Sequence, residues 1–164
     1  MSEIDEMRRT VEALTKRVQL LEDYIEISQN VAQYGPNADF GSAEATADLW
    51  TEDGIYDAVN TITMKGKAAI SGMINGEGHW QGLLSGCGHV LTAPHIVLKG
   101  DTAEGRNYAL KLYWDKLQER FWVGRVSANR WRWRRTPEGW KVEERINANL
   151  DGTAEHRELF NPIT

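Results

Sequence analysis

The chain has 164 residues, a net charge of −5 and a single cysteine. This length predicts one domain with a single core, and the negative charge argues against a nucleic-acid or anionic-membrane partner. One cysteine excludes an internal disulfide. With no apolar signal sequence at the N-terminus and no run long enough to span a bilayer, we expect a cytoplasmic protein.

Residues 3 to about 32 predict one long helix. Apolar side chains along it alternate spacings of three and four, as heptad a and d positions do: Ile4, Met7, Val11, Leu14, Val18, Leu21 and Ile25. Residues 1–18 are either an extension that packs on another subunit, giving a homo-oligomer such as a dimer or trimer, or part of one intramolecular helix. The sequence Gly35-Pro36-Asn37 predicts the end of this helix.

The middle of the chain predicts short elements. In order, they are a helix at 42–50, a strand at 55–59, a hairpin strand at 62–64 and a helix at 66–75. Residues 76–88 contain five glycines and Trp80, so we expect a mobile loop over any cavity.

The second half of the chain predicts a run of antiparallel strands, at 90–99, 103–114, 121–134 and 140–150. In the third, Trp131 and Trp133 alternate with arginines. This period of two puts the arginines on a solvated face and argues against an RNA-binding strip. Helices first and strands last predict an α+β fold, a curved antiparallel sheet wrapped around helices as a cone with an internal cavity.

Three parts of the chain are therefore expected: a helical extension at 1–18, the cone-shaped domain at 19–150 and a tail at 151–164. The tail is polar, and its apolar residues Phe160, Pro162 and Ile163 are expected to fold back over the cavity mouth. His156 is expected to be exposed.

Asp39 and His89 are the candidate chemical pair. Asp39 follows the long helix and His89 opens a strand fifty residues later. If they meet, the carboxylate would fix the tautomer of the imidazole, and the far ring nitrogen would act as a general base near neutral pH. The alternative is a surface aspartate and an isolated, half-buried histidine, since their separation in sequence cannot show contact.

Several motifs together resemble the SnoaL-like branch of the nuclear-transport-factor-2-like superfamily over roughly residues 20–150. The motifs are Tyr34-x4-Asp39, Ala-Asp-Leu-Trp-Thr-Glu-Asp-Gly at 47–54, Gly66-Lys67, His-Val-Leu-Thr-Ala-Pro at 89–94, Gly-Asp-Thr-Ala at 100–103, and Gly-Trp-Lys-Val at 139–142 before Arg145. One departure is Ala93, where many relatives have asparagine.

The resemblance implies functional roles for particular residues. The most similar members are scytalone dehydratase, bile-acid 7α-dehydratase and hexachlorocyclohexane dehydrochlorinase, which use an Asp–His pair without a cofactor. The resemblance implies catalytic roles for His89 and Asp39, with Tyr34 and Arg145 stabilising an oxyanion or a leaving group. Substrate contacts are expected from Trp50, Tyr56, Met73, Trp80, Cys87 and Asn147.

The sequence thus predicts a cofactor-independent lyase of the dehydratase type, acting on a hydrophobic ring-bearing small molecule. An isomerase or cyclase would use the same pair, and a non-catalytic small-molecule-binding or assembly module would use the same cone. No metal is expected, because no group of His, Cys and Asp residues has metal-ligand spacing along the chain.

Overall fold

The computed structural model describes residues 2–163, in which five helices and seven strands form. The helices are α1 (Glu3–Phe40), α2 (Ala43–Ala47), α3 (Lys67–Asn75), α4 (Glu77–Ser85) and α5 (Ala154–Glu158). The strands are β1 (Trp50–Ala58), β2 (Ile62–Lys65), β3 (Cys87–Leu91), β4 (His95–Lys99), β5 (Thr102–Asp115), β6 (Arg120–Thr136) and β7 (Gly139–Asn149). No helix within this range is both long and apolar enough to cross a membrane.

The strands form one curved, unclosed sheet with the order β2-β1-β7-β6-β5-β3, and β4 also pairs with β5. The predicted α+β fold is confirmed. One pairing departs from the antiparallel expectation, since β1 and β7 are parallel. Parallel neighbours need a long connection, and here residues 59–138, about half of the chain, lie between the two strands.

Buried tryptophans fill the inner side of the sheet. Trp131 and Trp133 stack with ring centroids 5.6 Å apart, and Trp50 packs on Trp131. The arginines that alternate with them pair with carboxylates on the opposite face: Arg130 with Glu104, Arg132 with Glu144, and Arg134 with Asp53. The period of two therefore separates an aromatic core from a charged outer surface, as predicted.

The prediction that α1 ends at Gly35-Pro36-Asn37 is wrong. The helix continues through Pro36 to Phe40 and closes on Gly41, which has a left-handed φ of 74°. A proline in a helix removes one backbone hydrogen bond. The turn around it is buried through Tyr34, Gly35 and Ala38, so tertiary packing outweighs that local loss.

The first half of α1 leaves its heptad side chains uncovered. The seven apolar residues from Ile4 to Ile25 are 51–70% exposed, and burial along the helix begins at Asp23. The helix is continuous at residue 18, so the expected boundary between extension and domain falls inside a single element. Within residues 2–163, none of these heptad side chains is buried.

Two further predictions about secondary structure are wrong. Residues 77–85 form helix α4 rather than a mobile loop, because Trp80 packs against Gly41 and supplies a tertiary contact that glycine content does not reveal. The strand expected at 90–99 is two strands, β3 and β4, separated by residues 92–94. His89 and His95 consequently lie on different strands.

The tail packs on the outer face of the sheet rather than over the cavity mouth, so that expectation is wrong. The Phe160 ring contacts Tyr108, and the Phe160 carbonyl accepts a hydrogen bond from Arg106. His156 is buried, contrary to the prediction of exposure, because its Nδ1 contacts the Asn149 carbonyl oxygen at 2.7 Å.

A buried carboxylate ties α1 to the sheet. Asp23 accepts two hydrogen bonds from the Arg135 guanidinium, at 2.7 and 2.6 Å, and one from the Trp140 indole at 3.1 Å. These bonds favour the charged form. The Arg135 hydrogen bonds lower the pKa of Asp23 from 3.8 to about 2, against the opposing effect of burial.

We expect Asp23→Asn to lower the free energy of unfolding at neutral pH by about 2–3 kcal/mol, the value of that pKa shift. Because the folded-state pKa is lowered, this stabilisation is complete above pH 3.8 and is lost as the pH falls towards 2. Urea unfolding across that range measures it. Asp101→Asn is the matched control, since exposed Asp101 also bonds Arg135 and should cost under about 1 kcal/mol. Equal effects of both substitutions would contradict the expectation.

Candidate active site

Asp39 and His89 meet where the last turn of α1 crosses β3. The Asp39 Oδ1 atom lies 2.6 Å from His89 Nδ1, and Oδ2 accepts the backbone N–H of His89 at 2.8 Å. A carboxylate on Nδ1 holds the proton on that nitrogen and leaves Nε2 as the basic one. The contact that the sequence could only suggest is present, while its catalytic role stays a prediction.

Gly35 permits this contact. A Cβ atom at position 35 would overlap the backbone carbonyl oxygen of His89. Only glycine lets the helix backbone come this close to the strand. The residue that the sequence suggested as a helix breaker therefore sets the distance between α1 and β3.

The pair borders a cavity of about 180 Å³ between the helices and the inner face of the sheet. His89 lines it, and Asp39 lies behind the imidazole. Six of the residues expected at the site line this cavity: Tyr34, Tyr56, Met73, His89, Arg145 and Asn147.

Three residues expected to contact substrate do not line the cavity. Trp50 is fully buried beneath it, against the rings of Tyr34 and Tyr56. Trp80 lies on α4 with its ring against Gly41. Cys87 begins β3, and burial raises the pKa of its thiol.

Arg145 is buried among aromatic rings. Its guanidinium lies 4.2 Å from the ring centroid of Tyr34 and 4.7 Å from those of Tyr56 and Trp131, while Nε donates to the Asn129 side-chain oxygen at 3.0 Å. Burial also raises the pKa of Tyr34 well above its usual range, with Tyr56 acting in the same direction and the Arg145 cation opposing it. Tyr34 therefore stays a protonated hydrogen-bond donor at neutral pH.

Eleven other residues that the sequence did not indicate line the cavity, and four of them have side chains able to act on a ligand: His79, Lys111, Arg125 and Ser127. Two had a usable signal. Counting back by twos from Trp131 along β6 puts Ser127 and Arg125 on the inner face. His79 had none, because the glycines around it indicate a loop. It lies on α4, where its ring stacks on His89 at 6.0 Å and its Nε2 contacts the Ala38 carbonyl oxygen.

Folding also assembles a group of possible metal ligands that spacing along the chain did not reveal. Ligand atoms of Asp39, Cys87 and His89 lie within 4.8 Å of one another. A metal bound through His89 Nδ1 and Asp39 Oδ1 would have to replace their 2.6 Å hydrogen bond. The raised pKa of Cys87 also disfavours the thiolate that metals bind. The geometry thus fits a hydrogen-bonded carboxylate–imidazole pair better than a metal centre.

A cone-shaped α+β domain with a curved, unclosed sheet and helices is the fold of the nuclear-transport-factor-2-like superfamily. The model of the SnoaL-like domain matches residues 19–146, and the chain belongs to this family. The family includes polyketide cyclases and ring-modifying enzymes. Among curated proteins, none matches the sequence.

Solved structures agree on the fold. An NTF2-like protein with a cystatin-like fold from Novosphingobium aromaticivorans is 44% identical, with a TM-score of 0.88 over 91% of this chain and 96% of that one. ActVI-ORFA from Streptomyces coelicolor is 16% identical, with a TM-score of 0.68 over 79% and 98%. A protein from Catenulispora acidiphila, in complex with S-DNPA, is 22% identical, with a TM-score of 0.68 over 80% and 96%.

We expect Gly35→Ala to separate Asp39 from His89, because the added methyl group overlaps the His89 carbonyl. The overpacking should cost about 1–3 kcal/mol of stability. The low-field proton signal of the His89 Nδ1–H should shift or disappear in NMR spectra. Gly72→Ala is the control: a Cβ there meets no atom within 4 Å, and alanine favours a helix. An unchanged signal and stability in Gly35→Ala would refute the steric role of Gly35.

Proposed function

We propose that this protein is a cofactor-independent lyase that eliminates water from a hydrophobic, ring-bearing small molecule. The observation that carries the proposal is the Asp39–His89 pair at the edge of an aromatic-lined cavity. Membership of a family that includes polyketide cyclases and ring-modifying enzymes supports it. The complex of the Catenulispora acidiphila protein with S-DNPA supports small-molecule binding on this fold.

In the proposed reaction, His89 Nε2 removes a proton from the carbon next to a carbonyl group. The electron pair moves onto the carbonyl oxygen, and the enolate is stabilised by the Tyr34 hydroxyl, while the Arg145 cation holds a second polar group of the substrate. The enolate then re-forms the carbonyl and expels a hydroxyl group from the adjacent carbon. That hydroxyl leaves as water with the proton held by His89, and a carbon–carbon double bond forms. Asp39 positions the imidazole and stabilises its cation.

The alternatives differ in the fate of the proton. An isomerase would return it to another carbon, and a cyclase would use the enolate to form a ring bond, so the product distinguishes them. A non-catalytic binding module does not need a carboxylate that accepts hydrogen bonds from both the ring and the backbone of one histidine. The double contact of Asp39 therefore favours chemistry over binding alone.

We expect His89→Ala and Asp39→Asn each to reduce turnover of a dehydrating β-hydroxy ring ketone by about 10²–10⁴-fold, the usual contribution of general acid–base catalysis. Mass spectrometry detects the loss of one water across a panel of such ketones. His95→Ala is the matched control, because His95 is exposed on β4, away from the pair. Circular dichroism checks folding. Full activity in both variants would exclude this mechanism.

We also propose that the protein is a homo-oligomer that pairs through the heptad positions of α1. Apolar residues spaced three and four apart stay exposed over five turns or more, which is costly in water. In proteins, most of the stability of a helix comes from packing of its apolar face. Charged residues flank the apolar positions, as in coiled coils. Burial of these positions against a second copy removes the apolar surface from water.

We expect the double substitution Val11→Glu and Val18→Glu to lower the mass of the assembly, since it puts charges into the apolar seam. Light scattering measures the mass. Lys16→Glu is the control, because Lys16 lies outside the seam and also gains negative charge. Deletion of residues 1–18 should act like the double substitution. An unchanged mass in both would disprove pairing through α1.

A further inference from the structure

The cavity wall carries an excess of positive charge. Three permanent cations line it: Lys111, Arg125 and Arg145. Within residues 2–163, no aspartate or glutamate is among the lining residues. The chain as a whole has 24 acidic residues and a net charge of −5, so a basic composition does not explain this wall.

Among the residues that the structure describes, none offers Arg145 a carboxylate partner. Its side chain is 2% exposed, its Nε bonds a neutral asparagine oxygen, and its Nη1 is buried without a hydrogen-bond partner in the part of the chain that the structure describes. A guanidinium has five N–H donors and stays charged at neutral pH. Aromatic faces attract this cation but supply no negative charge.

Arg125, like Arg145, donates its hydrogen bonds to neutral oxygens. Its Nε donates to the Ser127 hydroxyl at 2.9 Å, and its Nη2 donates to the Asn147 oxygen at 2.7 Å. The Asn147 amide in turn donates to Asn129, the residue that also accepts from Arg145. Two neutral amides therefore hold both guanidiniums in place without neutralising them.

Arginines on the outer face are partnered differently. Arg130, Arg132 and Arg134 each lie within 4 Å of a carboxylate oxygen, although each is more exposed than Arg145 and needs a counter-charge less. A buried charge without a partner costs far more than an exposed one. The exposed arginines thus have carboxylate partners, whereas buried Arg145 has none within residues 2–163. A bound ligand would supply the missing negative charge.

Asp39 is not this counter-ion. Both of its oxygens are engaged by His89, one by the ring and one by the backbone. Lys111 on β5 is the cross-strand neighbour of His89 on β3. A third cation therefore lies next to the proposed base. The net charge of the cavity with Asp39 included remains positive.

We propose that the natural substrate is an organic anion, a small ring-bearing carboxylate whose carboxylate group binds Arg125 and Arg145. This rests on the proposed function and narrows its substrate class. Guanidinium groups match carboxylates with paired, charge-assisted hydrogen bonds. Binding of the anion supplies the charge that the protein leaves out.

The remaining wall suits a ring. Apolar side chains from β1, β2, β3 and α3 line it, namely Ala58, Ile62, Met64, Met73 and Leu91. The cations come from β5, β6 and β7. A volume of about 180 Å³ lies below the ~300–1,000 Å³ typical of sites for drug-sized ligands, and so favours one or two rings over a steroid.

Isothermal titration calorimetry with 1-naphthoate and its neutral analogue 1-naphthamide tests the charge requirement directly. Charge-assisted hydrogen bonds predict that the carboxylate binds about 10- to 100-fold more tightly than the amide. Equal affinities, or no binding of 1-naphthoate, benzoate and 2-hydroxybenzoate, would overturn the proposal. Tighter binding of 1-naphthyl phosphate than of 1-naphthoate would overturn the assignment to carboxylates.

Arg125→Gln removes one cation while keeping an amide that can bond Asn147. We expect it to weaken 1-naphthoate binding by about tenfold or more and to leave 1-naphthamide binding unchanged. Arg145→Lys keeps the charge but loses the paired donors, so it should weaken 1-naphthoate binding less than Arg125→Gln does. Arg132→Gln, on the outer face, is the control and should bind both ligands as the unmodified protein does. Thermal unfolding verifies that each variant folds.

The failure of this inference is distinguishable from failure of the lyase proposal. His89→Ala should still bind 1-naphthoate, because the imidazole is not the anion's partner. Charge-dependent binding together with full turnover in His89→Ala would remove the proposed mechanism and keep the anion site. Loss of turnover in His89→Ala without a preference for the carboxylate would exclude the anion site and keep the proposed mechanism.

Discussion

The close contact between the end of α1 and β3 organises the whole site. At this crossing, the Asp39 carboxylate accepts hydrogen bonds from both the ring and the backbone of His89. Gly35, one turn earlier, lets the helix approach the strand closely enough. Pro36 within the helix and the cap at Gly41 are tolerated because the same turn is buried. Without this approach, the imidazole would have no fixed tautomer.

The inner face of the sheet also holds a buried positive charge, that of Arg145. Asparagines on β5, β6 and β7 form a continuous hydrogen-bonded set: Asn107, Asn129 and Asn147. This set orients Arg125 and Arg145 through neutral oxygens. A carboxylate in the same position would satisfy the guanidiniums and remove their ability to bind an anion. Orientation without neutralisation is what a binding site for an anion or a developing oxyanion requires.

These two features are complementary in a proton-transfer reaction. In the proposed elimination, His89 would gain a positive charge on accepting a proton, next to the Asp39 carboxylate. The substrate oxygen would gain negative charge, and the protonated Tyr34 and the cationic wall line the same cavity. Charges of opposite sign would thus develop next to preorganised groups that stabilise them, so little reorganisation would be needed.

The sequence by itself determined what depends on local pattern. The heptad spacing fixed α1, the period of two in β6 fixed which side faces the core, and the motif order indicated the fold and the Asp39 and His89 candidates. Tertiary structure alone decided the passage of α1 through Pro36 and the helical state of residues 77–85, because packing free energy there exceeds local propensity. It also decided the positive cavity, since the net charge of a chain carries no information about where uncompensated charges meet.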